Sequence, residues 1–300
     1  MAGISCIVKK EISDAVGNKA FFLSCAVLLL ISALTSITAS NVYYDLRLLG
    51  GRTNYELVIM RELYPKMVLI GALVAVAYGF NAINKERTEG SLKVLMSYPI
   101  YRDQVILGKL FASIILITFV SFVSQLVSLS LYLFQTNIVF TVEKFSIYLT
   151  FMCLTTLLLI GYLGMSMFLS IAFRDQKTSL ILMFVIIGVF NSQIFYSYGE
   201  LIIRVIYGLD PGNRVTPLGA TARAIYEGIQ TLSIAESLRM TIERLMWNLF
   251  PVNLGEETIW IENSILRVLI SRINTIILLI IIPVLSFSAS YVFFTRRDIT

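Results

Sequence analysis

Long apolar runs alternate with short charged segments along the whole chain of 300 residues. A helix that crosses a bilayer needs about 20 predominantly apolar residues. Six runs fit this length, and each predicts a transmembrane helix: 20–40, 66–83, 110–134, 146–172, 178–196 and 272–294. The pattern therefore predicts an all-α integral membrane protein, with residues 1–300 as a single transmembrane domain.

The N-terminal residues 1–19 follow a different pattern. Apolar side chains recur at helical spacing from Ile4 to Val16, while Lys9, Lys10 and Asp14 fall mostly on the other side. This predicts a short amphipathic helix lying in the membrane interface before the first span. The start of a cleaved signal peptide is the alternative, but the following apolar core is too long and no small-x-small cleavage site follows it.

Composition supports the membrane class and indicates an orientation. Apolar residues make up 57% of the chain and charged residues only 14%, against about 25% in soluble proteins. Lysine and arginine are concentrated before the first span, between spans two and three, between spans four and five, and after span six. By the positive-inside rule, both termini are expected in the cytoplasm of a cell-membrane protein. The net charge of +5 then reflects orientation and anionic lipid rather than nucleic acid.

Cysteine and histidine usage narrows the possible chemistry. Cys6, Cys25 and Cys153 have no spacing typical of a disulfide framework or a metal site, and the chain has no histidine. A Ser-His-Asp triad and a His-ligated zinc site are thereby excluded. We expect no catalytic residue, no metal site and no cofactor bound by this chain.

The predicted spans hold almost no ionisable side chain away from their ends, and only Pro283 interrupts one. A transporter driven by protons or sodium usually needs acidic residues or broken helices near the membrane midplane. We therefore expect the driving energy to enter from outside the membrane part. A transport path would be lined by uncharged polar side chains, such as Asn81, Gln125, Ser128 and Asn191.

Small residues form a stripe in the second span, at Gly71, Ala75 and Gly79. A small residue at every fourth position lets another helix approach closely. The stripe predicts either packing within the chain or a contact between two copies of the chain.

Residues 197–271 form the longest segment between predicted spans and are expected on the outer side. Ser233 and Glu236 have the spacing of a capping box, and an apolar stripe follows them. Glu236, Arg239 and Glu243 are spaced for ion pairs along one helix. We predict several amphipathic helices lying on or dipping into the outer surface.

The segment 84–109 is charged, yet it lies between two apolar spans. Lys85–Met96 is compatible with a helix, and the chain breaks at Pro99 because the residue before a proline disfavours the α conformation. A second helix restarts near Arg102 and enters span three. This predicts a stiff element at the membrane surface, within reach of a soluble partner. The charged turn at Arg174–Asp175 is either a second contact for that partner or an ordinary turn between two spans.

The segment also has an ordered motif: Glu86-x-x-Glu89-Gly90-Ser91-Leu92-x-x-Leu95-Met96-Ser97-x-Pro99-Ile100-x-Arg102, then Val105-x-x-Gly108-Lys109. It resembles the membrane permease subunits of ABC-2 type ABC transporters. Those subunits carry E-x-x-x-G-T-L-x-x-L-L, a proline, a basic residue and Gly-Lys before span three. The chain departs from the pattern at Ser91, where threonine is usual, and at Lys93, where an acid is frequent.

The resemblance implies an ATP-driven exporter built from two permease chains, as a homodimer or heterodimer, and two copies of a cytoplasmic ATP-binding subunit. ATP and Mg would be bound by that partner, since Gly108-Lys109 is not part of a phosphate loop. The residues implied to couple to the partner are Glu86, Arg87, Glu89, Gly90, Ser91, Leu92, Leu95, Pro99, Arg102, Gly108 and Lys109, with Arg174 and Asp175 from the second turn.

Two alternatives differ in class from a permease. One is a membrane-embedded enzyme resembling an intramembrane protease, with Glu256 and Glu257 as its acid pair; both lie in the predicted outer segment and have no histidine partner. The other is an ATP-driven membrane scaffold that moves no solute.

Overall fold

The computed structural model describes residues 2–48, 57–88, 102–173, 176–191, 233–247, 252–254, 257–259 and 265–296. The helices, in chain order, are α1 (Ala2–Val16), α2 (Lys19–Leu48), α3 (Val58–Lys66), α4 (Ala72–Thr88), α5 (Arg102–Thr136), α6 (Val142–Ala172), α7 (Gln176–Asn191), α8 (Ile234–Trp247), α9 (Ile265–Ser271) and α10 (Ile273–Arg296). A π-helical turn, Met67–Gly71, joins α3 to α4 directly after Pro65. A proline inside a helix removes one backbone hydrogen bond, which explains a local change of helix type just after Pro65.

Five helices in the described part of the chain are long and apolar enough to cross a membrane: Phe21–Leu48, Val58–Phe80, Asp103–Thr136, Val142–Ala172 and Ile273–Thr295. They confirm the all-α membrane class and correspond to five of the six predicted spans. For the remaining prediction, 178–196, α7 provides only a shorter apolar stretch, Lys177–Gly188. Residues 192–196 lie outside the described residues.

Two short strands interrupt the helical pattern in the region where only helices were predicted. Val252–Leu254 (β1) pairs antiparallel with Glu257–Ile259 (β2), with Val252 opposite Ile259 and Leu254 opposite Glu257. The helical prediction is therefore wrong for this part of the segment 197–271.

Helix α6 lies at the centre of the bundle. In the most apolar stretch of α6, 72% of the residues are buried. The corresponding fractions are 28% for α2 and 17% for α10, which lie at the periphery. Helix α10 packs along α6 in the same direction, because Gly161 lies near Pro283 and the Phe168 ring contacts the Phe293 ring at 5.4 Å. Helices α6 and α10 therefore begin at the same end of the bundle.

The small-residue stripe of α4 and the π turn packs against α6. Gly71, Ala75 and Gly79 are all buried, and a Cβ atom on Gly79 would lie 2.7 Å from the Leu163 carbonyl oxygen. The Ser166 hydroxyl donates a hydrogen bond of 2.8 Å to the carbonyl of residue 76 in α4. Within the chain, α6 thus covers this face, which leaves no room there for a second copy of the chain.

Helix α5 contacts α6 through a buried polar cluster. The Ser121 and Thr156 hydroxyls lie 2.9 Å apart, and the Gln125 amide accepts a hydrogen bond of 2.9 Å from Thr155. Gln125 and Ser128 are completely buried. Neither side chain faces an open path in this structure, and the expectation that they line one stays a prediction. The side chains of Asn81 and Asn191 lie outside the described part.

The bundle has two distinct ends. At one end, called the α1 end, α1 packs on the beginning of α5. At the other, called the α8 end, α8 packs against α3, α7 and α10. The Tyr64 hydroxyl donates a hydrogen bond to the Ala235 carbonyl there, and the Ser237 and Thr275 hydroxyls lie 2.6 Å apart. Tertiary hydrogen bonds therefore attach α8 to the beginning of two candidate spans.

Candidate functional site

Helix α1 lies across the first turns of α5, where residues 102–109 form the end of the predicted coupling segment. The two helices approach closely at Gly108, where a Cβ atom would lie 2.5 Å from Cγ2 of Ile7. A distance this short cannot be accommodated without displacement of one helix. Glycine at position 108 therefore permits the observed contact between α1 and α5.

An ion pair lies next to this contact. The Lys109 ammonium donates a hydrogen bond of 2.8 Å to Glu11 Oε1 of α1. Lys109 is only 5% exposed and Glu11 is 22% exposed. Since a buried charge is costly unless it is paired and hydrogen-bonded, Glu11 makes the position of Lys109 possible. The pair connects the N-terminal helix to the last residue of the predicted coupling segment, within the candidate span Asp103–Thr136.

Gly108 and Lys109 were predicted to contact the ATP-binding partner, and the structure places both against α1. Their role in a partner contact stays a prediction; their observed role is to position α1 on α5. Glu11 was not singled out from the sequence. The signal that would have identified it is Lys109 itself, a lysine beside an apolar span that needs a carboxylate partner.

The remaining predicted coupling residues are described only in part. Helix α4 continues without a break to Thr88, so the backbone at Glu86 and Arg87 is helical, and Arg102 is the first residue of α5. The side chains of these three residues lie outside the described part. So do all atoms of the other predicted coupling residues: Glu89, Gly90, Ser91, Leu92, Leu95, Pro99, Arg174 and Asp175.

A pocket of about 730 Å³ lies at the α8 end, between α3 and α8. Arg239 on its wall donates hydrogen bonds to the Glu236 and Glu243 carboxylates, as the sequence spacing predicted. Hydrogen bonding to Glu236 raises the pKa of the Arg239 guanidinium, which therefore stays charged. The Glu236 backbone N–H donates to the Ser233 hydroxyl at 3.3 Å, which confirms the predicted cap.

In the part of the chain that the structure describes, no three or more His, Cys, Asp or Glu residues lie close enough together to hold a metal ion. Of the acid pair in the enzyme alternative, Glu257 lies in β2 and Glu256 lies outside the described residues. That alternative stays a prediction.

Comparison with known families decides the class. A family model described as ABC-2 family transporter protein matches residues 5–299. The chain belongs to the ABC-2 family. No curated protein matches it. The match confirms the resemblance inferred from the motif and includes most of α1 and the whole charged segment 84–109.

Membership in the ABC-2 family defines the general role. Its members are membrane components of transporters, generally not enzymes themselves, and they normally pair with a cytoplasmic ATP-binding subunit. The ABC-2 chain is accordingly a multi-pass membrane protein of the permease type.

Proposed function

We propose that the chain is the permease subunit of an ATP-driven ABC exporter in the cell membrane. It forms the substrate path with a second permease chain and is coupled through residues 84–109 to a separate cytoplasmic ATP-binding subunit. One observation carries the coupling proposal. Helix α4 runs to Thr88 and α5 begins at Arg102, so both ends of the segment continue directly into candidate spans. A displacement of the segment would therefore act on both helices.

We also infer six crossings, with both termini in the cytoplasm. Helices α6 and α10 run in the same direction, so the chain between Ala172 and Ile273 has to return along the bundle. Helix α7 begins next to the end of α6, and α8 packs at the opposite end. Helix α7 therefore begins this return, which supports 178–196 as the fifth span.

The packing suggests how coupling would move the helices. Helix α4 packs on α6, and α6 packs on α10, whereas α5 packs on α1 and α2. The coupling segment joins the first group to the second. When the two ATP-binding subunits close on ATP and Mg, the segment would tilt α4 and α5 differently and open a path. The hydroxyl and amide contacts between α5 and α6 would adapt to this motion, because short polar side chains can exchange hydrogen-bond partners.

The test is charge reversal within the segment. Glu86→Lys and Glu89→Lys are introduced together, and the chain is co-expressed with its candidate ATP-binding subunit. We expect at least about tenfold weaker association, since losing one side of a buried charged contact costs about 2–5 kcal/mol. Association is measured by affinity purification, and the response of ATPase activity is measured in reconstituted vesicles.

The control is Glu143→Lys, which reverses an exposed glutamate at the first turn of α6, at the α8 end. It should retain both the complex and its ATPase activity. Unchanged association and ATPase activity in the variant with both reversals would overturn the coupling assignment. ATPase activity without solute movement in wild-type vesicles would favour the scaffold alternative over the exporter.

A further inference from the structure

A groove of about 560 Å³ lies on the surface between α1 and α5. Its walls are almost entirely apolar and include Ile4, Val8 and Ile12 from α1, and Phe111 and Ile115 from α5. The groove is therefore formed jointly by an amphipathic N-terminal helix and a candidate span. It lies beside the Lys109–Glu11 ion pair but includes neither residue.

The groove continues into an exposed apolar stripe on α5. Phe111, Ile115 and Phe119 are 51%, 48% and 63% exposed, and their spacing of four residues places them on one helix face. All three lie within the candidate span Asp103–Thr136, so this face meets hydrocarbon in a bilayer. The stripe extends about 12 Å along the helix axis, since each residue advances the helix by about 1.5 Å.

The rim of the groove is basic. Lys9 lines it and is exposed, and it forms no ion pair among the described residues. Glu11, the acidic residue closest to Lys9 in the sequence, is already engaged by Lys109. An anionic group at the rim would consequently meet an available ammonium group, whereas a cation would be repelled.

We propose that this groove binds an anionic phospholipid of the surrounding bilayer. One acyl chain lies between α1 and α5 and follows the stripe from Phe111 to Phe119, while the phosphate contacts Lys9. Burial of apolar area and attraction between lysine and an anionic headgroup both favour this arrangement. The inference requires that α5 crosses a bilayer with this face towards lipid, so it does not depend on the proposed coupling to an ATP-binding subunit.

The test uses the purified full chain in detergent, mixed with equal amounts of phosphatidylglycerol and phosphatidylcholine, and native mass spectrometry of the lipids retained. Phosphatidylglycerol should be retained preferentially. Lys9→Gln should reduce that preference about fivefold, the effect of removing one lysine near an anionic lipid. The matched control is Lys19→Gln, which removes an exposed lysine of the same end that does not line the groove.

A second variant tests the acyl chain separately. Ser5→Trp places a large side chain into the groove from an exposed position and should lower retention of both lipids. Equal retention of the two lipids by the wild-type chain would overturn the proposal. So would equal losses in the Lys9→Gln and Lys19→Gln variants, which would indicate general surface charge, or full retention in Ser5→Trp.

Discussion

Lys109 shows how one side chain depends on a distant partner. It has an ammonium group that is almost completely buried at the beginning of a candidate span, and Glu11 neutralises it from α1. The two residues are 98 positions apart in the chain. The sequence motif predicts Lys109 as a contact for a partner; in the structure its charge is paired inside the chain.

Replacing Lys109 by methionine should destabilise the chain by about 3 kcal/mol, because Glu11 is left partly buried without its cation. The double variant Lys109→Met with Glu11→Gln should recover part of this loss, because neither charge remains. Unfolding of the purified chain in detergent, followed by circular dichroism against temperature or denaturant, provides the measurement.

The matched control for this prediction is Lys66→Met. Lys66 pairs with Glu62 at 3.9 Å, and both side chains are about one third exposed, at 36% and 29%. An exposed ion pair contributes at most about 1 kcal/mol, so the change should be small. Strictly additive effects of Lys109→Met and Glu11→Gln would contradict a direct interaction between the two residues.

At the scale of elements, α4 and α6 are held together by close approach rather than by large side chains. Gly79→Ala would place a Cβ atom 2.7 Å from a backbone oxygen of α6 and 2.9 Å from the Ser166 Cβ. We expect a loss of about 1–3 kcal/mol in unfolding free energy, the usual cost of overpacking. Thermal unfolding in detergent would measure it.

Gly188→Ala is the control for Gly79→Ala, since a Cβ atom at Gly188 of α7 meets nothing within 4 Å. Its stability should be unchanged or slightly higher, because alanine favours a helix over glycine. Equal effects of the two substitutions would mean that helix propensity, and not the contact between α4 and α6, determines the result.

Helix α8 was the element most fully predicted from the sequence. Its cap at Ser233, its ion pairs around Arg239 and its buried apolar stripe were all expected, and the structure contains them. Each of these interactions joins residues at most four positions apart or follows helical periodicity. The hydrogen bond between Tyr64 and Ala235 joins positions 171 residues apart, and no local pattern indicates it.

At the scale of the whole molecule, the inferred six crossings can be tested by labelling. Cys6 is free and exposed on α1, and Val139, between α5 and α6, is 85% exposed. In intact cells, a membrane-impermeant maleimide should label Val139→Cys but label Cys6 only after permeabilisation. Each site is compared in a chain whose other cysteines are replaced by serine.

A tag after Thr300 should behave like Cys6, because an even number of crossings places both termini on one side. Accessibility of the tag in intact cells, with Cys6 protected, would indicate an odd number of crossings. It would leave the family assignment unchanged but overturn the sixth crossing.

Apolar run length, charge distribution and motif order determined the membrane class, five of the spans, the N-terminal amphipathic helix and the family. These properties depend on residues close together in the chain and on the hydrocarbon around it. Only the tertiary structure decided which faces meet. Apolar side chains are equally well solvated by lipid, so close packing and hydrogen bonds select the partners. Gly79 and Ser166 select the contact between α4 and α6, and Gly108 and Lys109 place α1 beside the segment that was predicted to reach the partner.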